Sequence, residues 1–185
     1  MKRMVSPMRR VRLAAWWVCA PLLAGVPALA QEAFFGNAAL ERADWKEDAV
    51  PPPPAYSLDH LINVELPRAA SRSVKIGIAP ETIQINKETG IVRYVAVARG
   101  PGATNAMYEG IRCATGEYRV YARQVIGQPW TEVTDDAWQT MRGQTSYPHP
   151  YQLARDGICY GTAINGSARD IVRTLKSPKG TLYDD

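Results

Sequence analysis

From Leu61 onward the chain is a succession of short β-rich runs separated by tight-turn residues, and that spacing leaves few folds open. Leu61 to Leu66, Val74 to Ile78 and Thr82 to Asn86 are rich in Ile, Val and Thr and are cut by Pro67 and Pro80. Lys87-Glu88-Thr89-Gly90 has hairpin-turn composition, with Gly90 free to take positive φ. Ile91 to Arg99 returns as a strand, Gly100-Pro101-Gly102 turns, Asn105 to Ala114 is a strand, Thr115-Gly116 turns, and Glu117 to Gln124 is a strand. Connections this short join only antiparallel neighbours, so the pattern predicts a meander of about five strands.

After Trp130 the signals become helical. Thr134 is placed to cap a helix from Asp135 to about Met141, with acids in the first turn where the helix dipole favours them. A second short helix runs from His149 or Pro150 to Ile158 and stops near Gly157. Ser167 caps a third, Ala168 to Lys176, with Ile171, Val172 and Leu175 on one stripe. Strands followed by helices predict an α+β domain, its short C-terminal helices packed on one face of the meander.

The N-terminus reads as a secretory signal. Lys2, Arg3, Arg9, Arg10 and Arg12 precede the uncharged apolar run Leu13 to Ala30, which closes on the small-x-small pattern Ala28-Leu29-Ala30. A membrane span needs about 20 apolar residues, and Pro21, Gly25 and Pro27 interrupt this run. Cleavage before Gln31 and a periplasmic or secreted product are therefore expected. Bulky Trp16-Trp17-Val18 before Cys19 argue against lipidation. Arg9-Arg10 resembles a twin-arginine signal, but Arg12 stands where an apolar residue is expected, which favours ordinary secretion.

Removing residues 1–30 takes five of the 22 basic residues and none of the 18 acidic ones, leaving a net charge of −1. The pI of about 9.0 belongs mostly to the signal, and no basic surface for nucleic acid or anionic membrane remains. Two cysteines then survive, Cys113 and Cys159. In an oxidising compartment they most simply pair, and the closed loop contributes about 4 kcal/mol. A Cys113 nucleophile with His149 as its base is the rival reading, and a free thiolate there would be oxidised.

Residues 31–55 read as a tail: a mixed, charged segment with aromatic handholds at Phe34-Phe35 and Trp45, then Pro51 to Pro54 as a stiff spacer laid on the domain. Residues 56–185 form the single domain.

Few constellations carry chemistry. His60 and His149 lie at no metal-ligand spacing, no Gly-rich loop opens a helix, and no G-x-S-x-G is present. No metal or cofactor is expected. Asp135-Asp136 on one helix diverge by about 100° and do not face a common substrate. Trp130 and Trp138, with Tyr147, Tyr151 and Tyr160, suit a glycan groove or, more simply, core packing. Glu109 is the most informative charge, because strand alternation places it with Met107, Ile111 and Cys113. If buried it needs a partner, and Arg93 and Arg119 on the adjoining strands are the candidates for a structural ion pair.

The runs Gly90-Ile91-Val92-Arg93-Tyr94, Gly102-Ala103-Thr104-Asn105-Ala106 and Tyr108-Glu109-Gly110-Ile111-Arg112-Cys113 resemble the cryptic-neisserial-protein-like family of exported bacterial proteins. Glu117, Tyr121-Ala122, Trp130, Trp138 and Leu153-Ala154-Arg155-Asp156-Gly157-Ile158-Cys159 extend the resemblance, which spans about Trp45 to Cys159. It implies an exported protein and, since the family has no assigned activity, no mechanism. The expected function is a non-catalytic envelope protein acting by binding or assembly with an unidentified partner or ligand. The alternative is a hydrolase of cell-wall or glycan substrates using Glu109 as acid or base.

Overall fold

Alternation and tight turns fold the middle of the chain into one antiparallel sheet. The computed structural model describes residues 45–66, 73–134, 137–143 and 148–177. The signal segment, Phe34-Phe35, Asp135-Asp136 and Tyr147 lie outside the described residues.

The strands are β1 (Ile62–Val64), β2 (Lys75–Asn86), β3 (Ile91–Arg99), β4 (Thr104–Arg112), β5 (Glu117–Val125) and β6 (Thr131–Glu132), hydrogen-bonded in sequence order. A seventh, β7 (Gln139–Thr140), also pairs with β5. The expected hairpin is present: Asn86 opposes Ile91, the Gly90 N–H donates to the Asn86 carbonyl at 3.0 Å, and Gly90 takes φ 70°.

The two short runs flanking Pro80 are one strand with a bulge. Ala79 opposes Val95 and Gln84 opposes Arg93, so residues 80–83 loop out opposite Tyr94. Pro80 has no N–H for the ladder. The Thr82 hydroxyl fills in, accepting from the Val95 N–H at 2.9 Å and donating to the Ala79 carbonyl at 2.7 Å. A second bulge lies in β5, where Tyr108 opposes Ala122 and Glu109 opposes Val120, leaving Tyr121 as the extra residue.

The helical expectation for residues 135–141 fails. Gln139 and Thr140 pair with Tyr118 and Glu117, and the Met141 N–H donates to the Gly116 carbonyl at 3.0 Å. A cap residue and two acids are only propensity signals, and a free sheet edge with unpaired backbone groups outweighs them. Farther on, α1 (His149–Leu153) widens into a π-helical turn over Ala154–Ile158. The small hairpin β8 (Cys159–Tyr160) and β9 (Ala163–Ile164) follows. Last comes α2 (Ala168–Lys176), where Ser167 and Asp170 form the reciprocal capping box.

The long strands β2 to β5 alternate between two buried clusters. Ile78, Val92, Tyr94, Ile111 and Tyr118 share one with Leu153, Ile158, Ile171 and Leu175 of the helical segments. Ala79, Val95, Val97, Tyr108 and Tyr121 form the other, against which Tyr56, Leu58, Trp130 and Trp138 pack. The disulfide Cys113–Cys159 joins the end of β4 to the end of the π turn, with Cα atoms 5.6 Å apart.

Candidate functional site

Polar side chains gather in two places, one in each cluster, and the register of β3, β4 and β5 decides which residues go where. Glu109 lies opposite Tyr94 and Val120, whereas Gly110 lies opposite Arg93 and Arg119. Glu109 therefore points into the cluster shared with the helices, and both arginines belong to the other side of the sheet. The pairing expected between Glu109 and Arg93 or Arg119 does not form. Arg93 and Arg119 are in ion pairs with other acids, and Glu109 meets a histidine.

Glu109 is fully buried and meets His149, the first residue of α1, which is 2 % exposed. Nε2 of His149 lies 3.0 Å from one carboxylate oxygen and 2.9 Å from the other. A buried carboxylate without such a partner would cost several kcal/mol, so the contact fixes where α1 sits on β4. Burial, and then the adjacent Glu109 carboxylate, push the Tyr94 phenol well above its ordinary value. His149 is not a base for Cys113, because Cys113 is tied up in the disulfide.

The second cluster is built around a residue assigned to the tail. Glu47 is held by the Nη2 of Arg93 at 3.2 Å, the Nη1 of Arg119 at 2.9 Å, the hydroxyl of Tyr121 at 2.5 Å and the indole N–H of Trp138 at 3.1 Å. Asp48 adds a 2.6 Å contact to Arg93 and accepts from the Asn86 amide at 2.8 Å. Trp45 donates to the Thr89 carbonyl at 3.0 Å, lies under the Arg112 guanidinium 3.5 Å from its ring centre, and meets Trp138 edge-on. Arg93 and Arg119 also stand over the Tyr121 ring, each within 5.6 Å.

The electrostatics follow from these contacts. The Arg93 hydrogen bond, with some opposition from burial, holds the Asp48 carboxyl below its ordinary value. Burial works against the Arg93 charge, but hydrogen bonds to Asp48, Tyr121 and Glu47 raise its pKa nonetheless. Burial and the Glu47 carboxylate push the Tyr121 phenol far up, so it stays protonated and donates to Glu47.

The segment Trp45–Asp48 is therefore a strap closed on the sheet, where the sequence suggested a tail with Trp45 as an aromatic handhold. Its local composition is that of a solvated segment, and the only available signal was a tryptophan beside two acids upstream of three strand arginines. Trp130 and Trp138, expected as binding or packing aromatics, both serve the N-terminal segment: Trp130 packs edge-on against Tyr56 at 5.9 Å.

The run Tyr108-Glu109-Gly110-Ile111-Arg112-Cys113 now has a role at each position. Tyr108 packs on Tyr121 with ring centres 5.4 Å apart. Glu109 holds α1, Ile111 is core, Arg112 covers Trp45, and Cys113 makes the disulfide. Gly110 is required because a Cβ there would stand 2.5 Å from the Tyr121 hydroxyl and 2.9 Å from its ring. This run and its surroundings fall within residues 40–176, over which the chain matches the model of the CNP1-like family. The chain belongs to the CNP1-like family. No curated protein and no solved structure matches it.

Two open depressions of about 320 and 440 Å³ flank the β2–β3 turn, and Glu109 lines neither. Among the described residues no group of three or more His, Cys, Asp and Glu is placed to hold a metal ion, and no helix is long and apolar enough to cross a membrane.

Proposed function

We propose that this CNP1-like chain is an exported envelope protein that acts by binding or assembly and performs no catalysis. The observation that carries this reading is the state of Glu109, the carboxylate on which a hydrolytic reading depends. It is fully buried, and both oxygens face the ring of His149. A glycosidase acid needs access to its substrate and a second carboxyl within roughly 5–10 Å across a cleft, whereas Glu109 sits beneath α1.

Residues 1–30 act as the signal and are removed before Gln31, which places the product in the periplasm or outside the cell. The disulfide suits that compartment. The C-terminal helices close one face of the meander, leaving the opposite face and its strap for partner contacts.

Two measurements test the reading together. After expression from the full-length gene, the soluble periplasmic protein should begin at Gln31. It should also release no soluble fragments from purified peptidoglycan or from a panel of polysaccharides. Hydrolysis that disappears in Glu109→Gln, with the fold retained, would overturn the binding reading in favour of the hydrolase.

A further inference from the structure

The groove that holds Glu47 is put together as a receptor for a peptide carboxylate. Four donors from the body of the domain converge on one carboxyl group: two guanidiniums, a phenol and an indole. Beside them Arg112 provides a flat cationic surface for an aromatic ring. Arg93 and Glu47 are nearly buried, their side chains 5 % and 10 % exposed, so the arrangement is desolvated where charge recognition is strongest.

What fills the groove is attached lightly. No backbone–backbone hydrogen bond joins residues 45–60 to the sheet among the described residues. The strap is held by side chains alone, and lifting it breaks no ladder. Beyond Asp48 the chain passes directly into exposed Ala49, Val50, Pro51 and Pro52. A stiff, solvated run of this kind tethers an occupant without packing it. With the strap lifted, Arg93 loses Glu47 and Asp48, Arg119 loses Glu47, and Arg112 keeps Glu117. The emptied groove is then strongly cationic and lined by Tyr121 and Trp138.

We propose that this groove is a binding site for an extended acidic–aromatic peptide segment of an envelope partner, and that Trp45–Asp48 is its tethered internal competitor. The segment recognised has the chemistry the strap displays: an aromatic ring for Arg112, a carboxylate two residues later for Arg93, Arg119, Tyr121 and Trp138, and a second acid next to it. The proposal rests on the binding reading above and names the site and partner class for it. A tethered competitor acts at an effective concentration in the millimolar range, so the partner segment binds well only where the strap is opened.

The probe is a fluorescently labelled peptide with the sequence of residues 43–50, titrated by anisotropy into the whole exported chain. The Trp45→Ala/Glu47→Ala variant, whose strap keeps only the Asp48 carboxylate to compete for Arg93, should bind it. The unaltered chain should bind at least tenfold more weakly. Adding Arg119→Ala to the open variant, or replacing the glutamate of the peptide by glutamine, should each cost at least tenfold. Should the double variant not fold, Glu47→Gln alone opens the strap more gently and should bind between the two limits.

No binding to an open variant that keeps its disulfide and its melting transition would overturn the proposal, as would equal binding to the closed chain. A concentration-dependent dimer of the unaltered chain, abolished by Glu47→Gln, would replace the foreign partner with a second copy and overturn the partner class. Failure here is separable from failure of the binding reading. Hydrolysis lost in Glu109→Gln refutes that reading, whatever the peptide does.

Discussion

The two sides of the sheet are held by different physics. On the side of Glu109, the contacts are mostly apolar side chains of Ile, Val, Leu and Tyr, closed by one buried His–Glu pair and a disulfide. On the side of Arg93, the covering segment has no secondary structure, and its attachment depends on charge-assisted hydrogen bonds, ring stacking and cation–π contacts. Apolar burial is non-directional and cooperative, so the first side should open only with the whole domain. Directional contacts to a bare strand of chain can be lost together without disturbing the ladder, so the second side should open locally.

The largest effect should come from His149→Ala. Removing the histidine leaves the fully buried Glu109 carboxylate uncompensated, at about 3–5 kcal/mol. Urea unfolding should show that loss in a single transition, and a change below about 1 kcal/mol would mean that the His149 contact does not hold α1. Cys113→Ser comes next. The bond closes a loop with a sequence separation of 46, so the cost should be a few kcal/mol and at most about 4. Thiol titration of the unfolded, unreduced protein should find neither Cys113 nor Cys159 free.

Glu47→Gln should cost less, about 2 kcal/mol, because hydrogen bonds to a charged group are worth about 1.5–3. Its signature matters more than its size. Hydrogen exchange and limited proteolysis should increase at residues 45–60 while β3 and β4 keep their protection. Loss of protection throughout the sheet would erase the distinction between the sides. Ser167→Ala removes the cap of α2 and should cost about 1 kcal/mol by thermal melting.

The smallest effect is a pH dependence confined to the strap. The Asp48 pKa is lowered on folding, so its contribution is complete above the ordinary value of 3.8 and is lost as pH falls through the lower folded value. Asp48 is partly exposed, which weakens the effect through solvent screening. Tryptophan fluorescence from Trp45 and Trp138 should change below about pH 4, ahead of acid unfolding. A strap signal unchanged until the domain unfolds would show that Glu47 and Trp45 suffice to hold it.

Much of the sheet is legible in the sequence. Ile91 to Arg99 and Ala168 to Lys176 have the expected bounds, and the turn at Gly90 is where its composition put it. Each rests on short-range information: alternation within a strand, a capping pair three residues apart, a glycine that tolerates positive φ. The misreading at residues 137–141 has the same origin, since local helix signals cannot register a vacant strand edge contributed by Glu117 and Tyr118.

The sequence alone determined the strands β3, β4 and β5, their antiparallel order and α2, because these follow from periodicity, turn chemistry and capping. Its motifs carried the resemblance to the family, and the oxidising compartment expected for the product paired the two cysteines. Only the tertiary structure decided the partners of the buried charges. Glu109 and Arg93 sit on neighbouring strands, yet a one-residue offset in register sends them to opposite sides of the sheet. Glu109 is left to a histidine 40 residues away, and Arg93 to acids 45 and 46 residues upstream. A charge carries no local mark of the one it will meet. That choice is made by the desolvation each suffers once the sheet, the helices and the strap have closed around it.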